Sequence, residues 1–319
     1  MSKLVVVRRV LEIIVTLVLV TLVTFFFTSK LPGNEAAVIC GPAGPACLAK
    51  EGALLYLNHP FFPRYLHWLG NLFSGTFGLS AAPTEPIATL LKQSYPITLE
   101  LVIFSQLIAI VVAVPLAMYS AVRPNKVFDR MSTAATFATL SLPAFIVGPL
   151  LRYFFTVKLP WFPGAGSTMP SIGVNPAQNL YVMFLPSLTI AVGSIAVYQR
   201  LLRADMIATL EEDFIVMARA KGLTTWRILF RHALRPSTFT VMTVGGVQIG
   251  SLIVGAIIGE QVFGLTGLGY QLVLAVTKAD LPTVQIITVI VAVAYILMNL
   301  IIDFLYTVID PRVRRARTT

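Results

Sequence analysis

Six apolar runs, each near the length that crosses a bilayer, punctuate this sequence at about 8–28, 97–122, 129–157, 181–207, 235–262 and 284–309. A hydrocarbon core about 30 Å thick takes roughly 20 apolar residues as a helix, and helices satisfy their own backbone hydrogen bonds in lipid. The expectation is an all-α membrane protein with six transmembrane helices and an extracytoplasmic loop domain after the first. With 56% apolar and 12% charged residues, the chain carries more apolar surface than one water-soluble core would hide. The first run follows Lys3, Arg8 and Arg9 and continues to Phe27, ending in Thr28-Ser29-Lys30-Leu31-Pro32. That ending lacks a small-residue cleavage site, so the run reads as a retained helix and not as a secretory signal.

Lys and Arg set the orientation. With the N-terminus inside, the cytoplasmic segments hold Lys3, Arg8, Arg9, then Arg123, Lys126, Arg130, then the basic residues from Arg200 to Arg235, and finally Arg312, Arg314, Arg315 and Arg317. The outer segments hold only Lys30, Lys50, Arg64, Lys92, Lys158 and Lys278, and Arg152 lies within a run. The positive-inside rule then places both termini in the cytoplasm. The net charge of +10 is topological, explained by basic surface near anionic headgroups, and needs no nucleic-acid partner.

The chain divides into a first transmembrane helix (1–29), an outer loop (30–96), a five-helix core (97–309) and a basic cytoplasmic tail (310–319). The outer loop is long enough to fold by itself. Its Gly/Pro-rich opening holds the two cysteines, Cys40 and Cys47, on the side where a disulfide is permitted, and they are expected to pair. Neither His59 nor His67 has metal-ligand spacing to them. Pro60 to Phe73 concentrates aromatics with His and Arg, as a short helix at the membrane interface does.

The segment 208–234 is no longer membrane-like. Glu211, Glu212 and Asp213 suit a helix start, Ala218, Arg219 and Ala220 continue it, and Lys221-Gly222-Leu223 interrupts it. Thr224-Thr225 then begin a second amphipathic piece carrying Trp226, Ile228, Leu229 and Phe230. The result is a helix–Gly–helix hairpin at the membrane surface, resting on headgroups or seated in a soluble partner's groove. In the fifth run, Gly246, Gly250, Gly255 and Gly259 form two small-xxx-small pairs for close helix packing, compatible with a gate. At the last run's end, Asn299, Asp303, Tyr306 and Asp310 share one helix face as a polar seam.

Chemistry is missing where an enzyme would need it. There is no H-E-x-x-H, no G-x-S-x-G and no phosphate-binding G-x-x-x-x-G-K-[ST]. The ionisable residues Glu12, Glu100, Asp205, Glu260 and Asp303 fall near run ends, where capping is commoner than ion coupling. No catalytic residue, metal site or cofactor is assigned to this chain.

Several segments together resemble the B-type permease of bacterial dipeptide and oligopeptide ABC importers, over essentially the whole length. Ala218-Arg219-Ala220-Lys221-Gly222-Leu223, with Arg231-His232-Ala233-Leu234-Arg235, is similar to the cytoplasmic "EAA" loop of such permeases, although Val216, Met217 and Ala218 stand at the positions that name it. Ser141-Leu142-Pro143-Ala144-Phe145, Glu260-Gln261-Val262-Phe263 with Gly267-Leu268-Gly269, and Asn299, Asp303, Tyr306 and Asp310-Pro311-Arg312 are similar to further signatures. Thr266 stands where the family often has proline, and Thr76 where it often has aspartate. The resemblance implies a type I importer fold in the bacterial plasma membrane, a heterodimer with a C-type permease, two ATPase domains holding ATP and Mg, and an extracytoplasmic peptide-binding protein. It implies a coupling role for Ala218 to Thr224 in alternating access. Permeases for nickel or other solutes look similar, and a self-sufficient carrier or channel and a non-transporting assembly factor are the readings from other classes.

Overall fold

The computed structural model describes residues 3–30, 35–41, 44–80 and 85–309, excepting the side chains at 3–6, 8–10, 35, 240 and 302–309. Its helices in chain order are α1 (Lys3–Lys30), α2 (Glu35–Cys40), α3 (Pro45–Leu54), α4 (Phe61–Ser74), α5 (Ile87–Val122), α6 (Val127–Ser141) and α7 (Ala144–Arg152), the last running into a π-turn over Tyr153–Lys158. There follow α8 (Pro176–Leu210), α9 (Asp213–Ala220), α10 (Thr225–Ile228), a second π-turn (Leu229–Ala233), α11 (Leu234–Phe263), α12 (Leu268–Thr277) and α13 (Leu281–Ile309). Among the described residues the β-pairing amounts to one isolated bridge, Leu79 with Pro86.

Stretches of α1, α5, α8, α11 and α13 are each long and apolar enough to cross a membrane. The third apolar run, expected as a span over 129–157, is broken within its length. It folds as α6 and α7 with its π-turn, bent by 105° between them. Leu142, at the break, is extended (φ −97°, ψ 117°), because the ring of Pro143 denies helical angles to the residue before it and Pro143 itself brings no N–H. The count is five spans, or six with the bent pair taken as one. α5 and α8 also begin earlier than their apolar runs. The Asn175 side chain accepts the Gln178 N–H at 3.1 Å, and Pro176 occupies the first turn of α8, so this start is set by capping chemistry and not by hydropathy.

Two compact units share the chain: residues 1–98 with 266–297, and residues 99–265 with 298–309. In the first, the Phe25 ring of α1 meets Phe61, Tyr65 and Trp68 of α4 at centroid distances of 5.6, 5.6 and 5.4 Å. The buried Tyr65 hydroxyl is paired with that of Thr21 at 2.9 Å, satisfying both polar groups of an apolar contact. Gln285 of α13 donates to Thr28 of α1 at 2.7 Å. Ser80 donates to Asp280 at 2.8 Å, and Asp280 also accepts from the hydroxyl of Thr283 at 2.7 Å, capping the start of α13.

The second unit is built around α8, which buries residues along most of its length. Ala109 and Ala113 of α5 form a buried cluster with Ala191 and Tyr198 of α8. Small side chains there let the two helices approach closely. The Tyr198 hydroxyl donates to Gln106 at 3.0 Å, so the one polar group of that cluster has a partner.

Candidate functional site

The hairpin between α8 and α11 has a core of its own. Ile215 and Ala218 of α9 and Ile228 of α10 are buried together, with Leu210 and Leu223 packed against them. Burying each isoleucine contributes about 1.5–3 kcal/mol, enough to hold two arms too short to be stable helices alone. Between the arms, Gly222 N–H bonds to Arg219 O at 2.9 Å and Leu223 N–H to Ala218 O at 3.3 Å. Gly222 has φ +75°, the left-handed conformation that side-chain-bearing residues disfavour.

A Cβ added at Gly222 would meet nothing within 4 Å. The requirement for glycine is therefore one of backbone angle, and helix crowding plays no part in it. The expected helix start is also shifted: Glu211 and Glu212 lie in the connection, and α9 begins at Asp213 with Glu212 as its cap.

Of the loop residues singled out in the sequence, Ala218 is buried, Leu223 is half-buried, and Arg219, Ala220, Lys221, Gly222 and Thr224 are exposed. Val216, Met217 and Phe214 are large apolar side chains left exposed on α9. On the other arm Trp226 and Phe230 are also exposed, their rings stacked at 5.9 Å. These five supply the apolar part of the hairpin's surface; Val216 and Met217 stand at two of the positions that name the loop motif, and Phe214, Trp226 and Phe230 lie outside it. Their signal in the sequence was large apolar side chains at helical spacing on a segment too polar to be a span.

The hairpin is joined to the helix ends at its base. Leu229 and Ala233, in the π-turn, share one buried cluster with Ala117, Met118 and Ala121 of α5, Leu202 and Met206 of α8, and Val241 of α11. α10, the π-turn and α11 are consecutive, so the second arm continues directly into the fifth span. The expected separate amphipathic piece is thus the near end of one long rod.

A polar clamp nearby went unrecognised in the sequence. The buried carboxylate of Asp129 on α6 accepts two hydrogen bonds from Arg203 of α8, one from Nε and one from Nη2 at 2.7 Å. It also accepts the backbone N–H of Asn125 at 2.8 Å. One turn further on, Gln199 donates to Ser132 at 3.0 Å and accepts from Thr136 at 2.9 Å. The bidentate pair and the amide together fix α6 on α8 by directional bonds that slippage would break.

The glycines of α11 divide. A Cβ at Gly255 would lie 2.7 Å from Ile190, and one at Gly259 2.9 Å from the same side chain, so these two positions seat the Ile190 side chain of α8 directly on the α11 backbone. Gly246 lines a cavity of about 250 Å³ with Gln106, Ile110 and Leu202, and Gly250 is half-buried. Arg152, which lies within the third run, donates to the backbone carbonyl of Val262 at 2.6 Å. Cys40 and Cys47 are disulfide-bonded, with Cα atoms 5.9 Å apart. Of the polar seam, Asn299 is half-buried, while the side chains of Asp303 and Tyr306 and the whole of Asp310 lie outside the described residues.

The family described as binding-protein-dependent transport system inner membrane component matches residues 113–315. The N-terminal region of such membrane components matches residues 1–102. The chain belongs to this family. It is a multi-pass permease of the ABC importer class. A protein of Sinorhizobium fredii named probable peptide ABC transporter permease is 34% identical to the permease over 310 residues, covering 96% of this chain and 98% of its own. The glutathione transport system permease of Escherichia coli K12 is 34% identical over 310 residues, covering 97% and 98%. A chain of the inward-facing MetNI methionine ABC transporter superposes with TM-score 0.54 at 16% identity, covering 71% of the permease and 99% of that chain. That likeness establishes the type I importer permease fold.

Proposed function

We propose that this permease passes short peptides, glutathione-like tripeptides among them, from an extracytoplasmic binding protein into the cytoplasm by alternating access. Both termini and the α9–α10 hairpin face the cytoplasm, and residues 30–96 lie outside. The chain pairs with a related C-type permease. It carries out no chemistry itself, and ATP with Mg is held by two partner ATPase domains. The cargo reading is supported by the names of the two relatives, each alike over nearly the full length. The topology is supported by the Lys and Arg asymmetry.

The observation that carries the coupling role is the hairpin's construction. Its tip, from Arg219 to Thr224 with Val216 and Met217 beside it, is exposed, while its base shares a buried cluster with the ends of α5 and α8 and continues into α11. A push on the tip by closing ATPase domains is delivered to three spans at once. Gly246, Gly255 and Gly259 are the positions at which α11 would shift, and the Asp129–Arg203 clamp holds α6 to α8 as they move. The test is ATP hydrolysis by the assembled complex in liposomes across short peptides, with binding protein present. Stimulation by peptides supports the reading, and stimulation by metal or sugar cargo alone overturns it. Labelling of an engineered Lys221→Cys from outside intact cells would overturn the topology.

A further inference from the structure

The unit containing α1 to α4 holds a cleft of about 400 Å³ that the transport reading does not use. Phe25 of α1, Gln285 and Ile286 of α13, Leu54 of α3 and Leu72 of α4 line it. Lys50, Arg64 and His67 also line it, against a single acid, Glu51. The Arg64 guanidinium lies over the Phe25 ring, 5.4 Å from its centroid. His67 is stacked on Tyr56 at 3.8 Å and hydrogen-bonded to Asn71 at 3.2 Å. The lining is thus amphiphilic, with apolar and basic side chains together.

Two observations fix the depth of this cleft. The ends of two spans contribute to its lining, since Phe25 lies near the close of the apolar stretch Leu11–Lys30 and Gln285 near the opening of Leu281–Ile301. Helix α4 also exposes Phe62, Leu66 and Phe73, which by helical phase project away from Arg64 and Trp68. A short helix with large apolar side chains on its outward face lies in the membrane interface. The cleft on its other face lies at the same level, where headgroups meet acyl chains.

We propose that this cleft binds one phospholipid, its phosphate held by Lys50 and Arg64 and its upper acyl chain lying along Leu54, Leu72 and Ile286. A guanidinium and an ammonium match phosphate oxygens in charge and in donor number. Lipid is present at this depth at all times, whereas a soluble peptide must partition there. The proposal rests on the placement of the spans in a membrane and not on the cargo, so a failed peptide-transport assay leaves it standing.

The experiment uses the three tryptophans. The full-length chain, purified by itself in a maltoside micelle, carries Trp161→Phe and Trp226→Phe so that only Trp68, which lines the cleft, reports. Phospholipid brominated high on its acyl chain is added, with equally brominated diacylglycerol as the phosphate-free control. Saturable quenching that needs about tenfold less phospholipid than diacylglycerol is expected, with about a fivefold weakening in Lys50→Gln and more in Lys50→Gln/Arg64→Gln. Lys50 is exposed on a helix that buries no residue, so its single variant remains informative if the double variant folds poorly. Equal quenching by the two lipids, or no change in Lys50→Gln, means ordinary annular contact and overturns the site. Relief of the quenching by a soluble tripeptide also overturns it and assigns the cleft to peptide.

Discussion

Two helix pairs in this permease turn back on themselves within a few residues, and they are held by different means. In α2–α3 the turn is closed by the Cys40–Cys47 bond. α3 buries none of its residues, and Ala36 and Cys40 are the buried positions of α2. In α9–α10 no covalent link exists. That pair is closed by Gly222 in a left-handed conformation and by the shared core of Ile215, Ala218 and Ile228. A covalent staple holds a turn whatever surrounds it. A core-held turn stays together only while its packing persists, and because its base is continuous with the cluster on α5, α8 and α11, displacement of one moves the other.

The comparison is sharpened most by Ile228→Ala. Truncating a buried isoleucine costs about 3 kcal/mol, more than a two-armed hairpin is expected to spare. Backbone amide exchange across 213–233 should rise at least tenfold, and peptide-stimulated ATP hydrolysis should fall, with membrane abundance unchanged. Next in size is Gly222→Val. A β-branched residue at φ +75° costs about 2 kcal/mol, and coupling should drop severalfold. Since a Cβ there touches nothing, Gly222→Asn, which tolerates left-handed angles, should recover most of the loss. Failure of Asn to recover it would mean that space, and not backbone angle, is limiting.

Cys40→Ser/Cys47→Ser should loosen α2–α3 locally, by about 2 kcal/mol or less for so short a loop. Coupled hydrolysis in this variant should remain within twofold of wild type, about the effect of 0.4 kcal/mol. A loss as large as that of Gly222→Val would end the distinction between the two turns. The smallest effect is expected of Arg219→Ala, an exposed charge whose removal changes local stability by about 0.5 kcal/mol or less. It is read from the same amide exchange and the same ATP hydrolysis.

Long elements were legible in the sequence because an apolar run is a direct physical requirement of the membrane. α1, α5, α8, α11 and α13 follow from it. Direction is a different matter, since hydropathy averaged over a window has no knowledge of a bend. The 105° break between α6 and α7 was written in Leu142-Pro143, which carried the local signal while the surrounding apolarity masked it. Gly222 was legible as a turn, although not which of two demands it meets, because a sequence shows that a glycine is present and not whether angle or space requires it. The clamp of Asp129 with Arg203 left no trace. Its partners are 74 residues apart, and no periodicity links a charge on one helix to a charge two helices later.

The π-turn at Leu229–Ala233 gives the second arm of the hairpin an adjustable phase. A π-turn accommodates one residue more than the α-helix it interrupts, and one residue is worth about 100° of rotation. The azimuth at which Trp226 and Phe230 leave the rod is therefore set by a single surplus residue, while the face that α11 turns toward α8 is set by its glycines. Orientation at one end and packing at the other therefore meet at Leu229 and Ala233, which belong to the buried cluster at the hairpin's base. An insertion or deletion inside these five residues would re-aim the hairpin like a key turned in its shank, and would at the same time displace Leu229 or Ala233 from their seat among α5, α8 and α11.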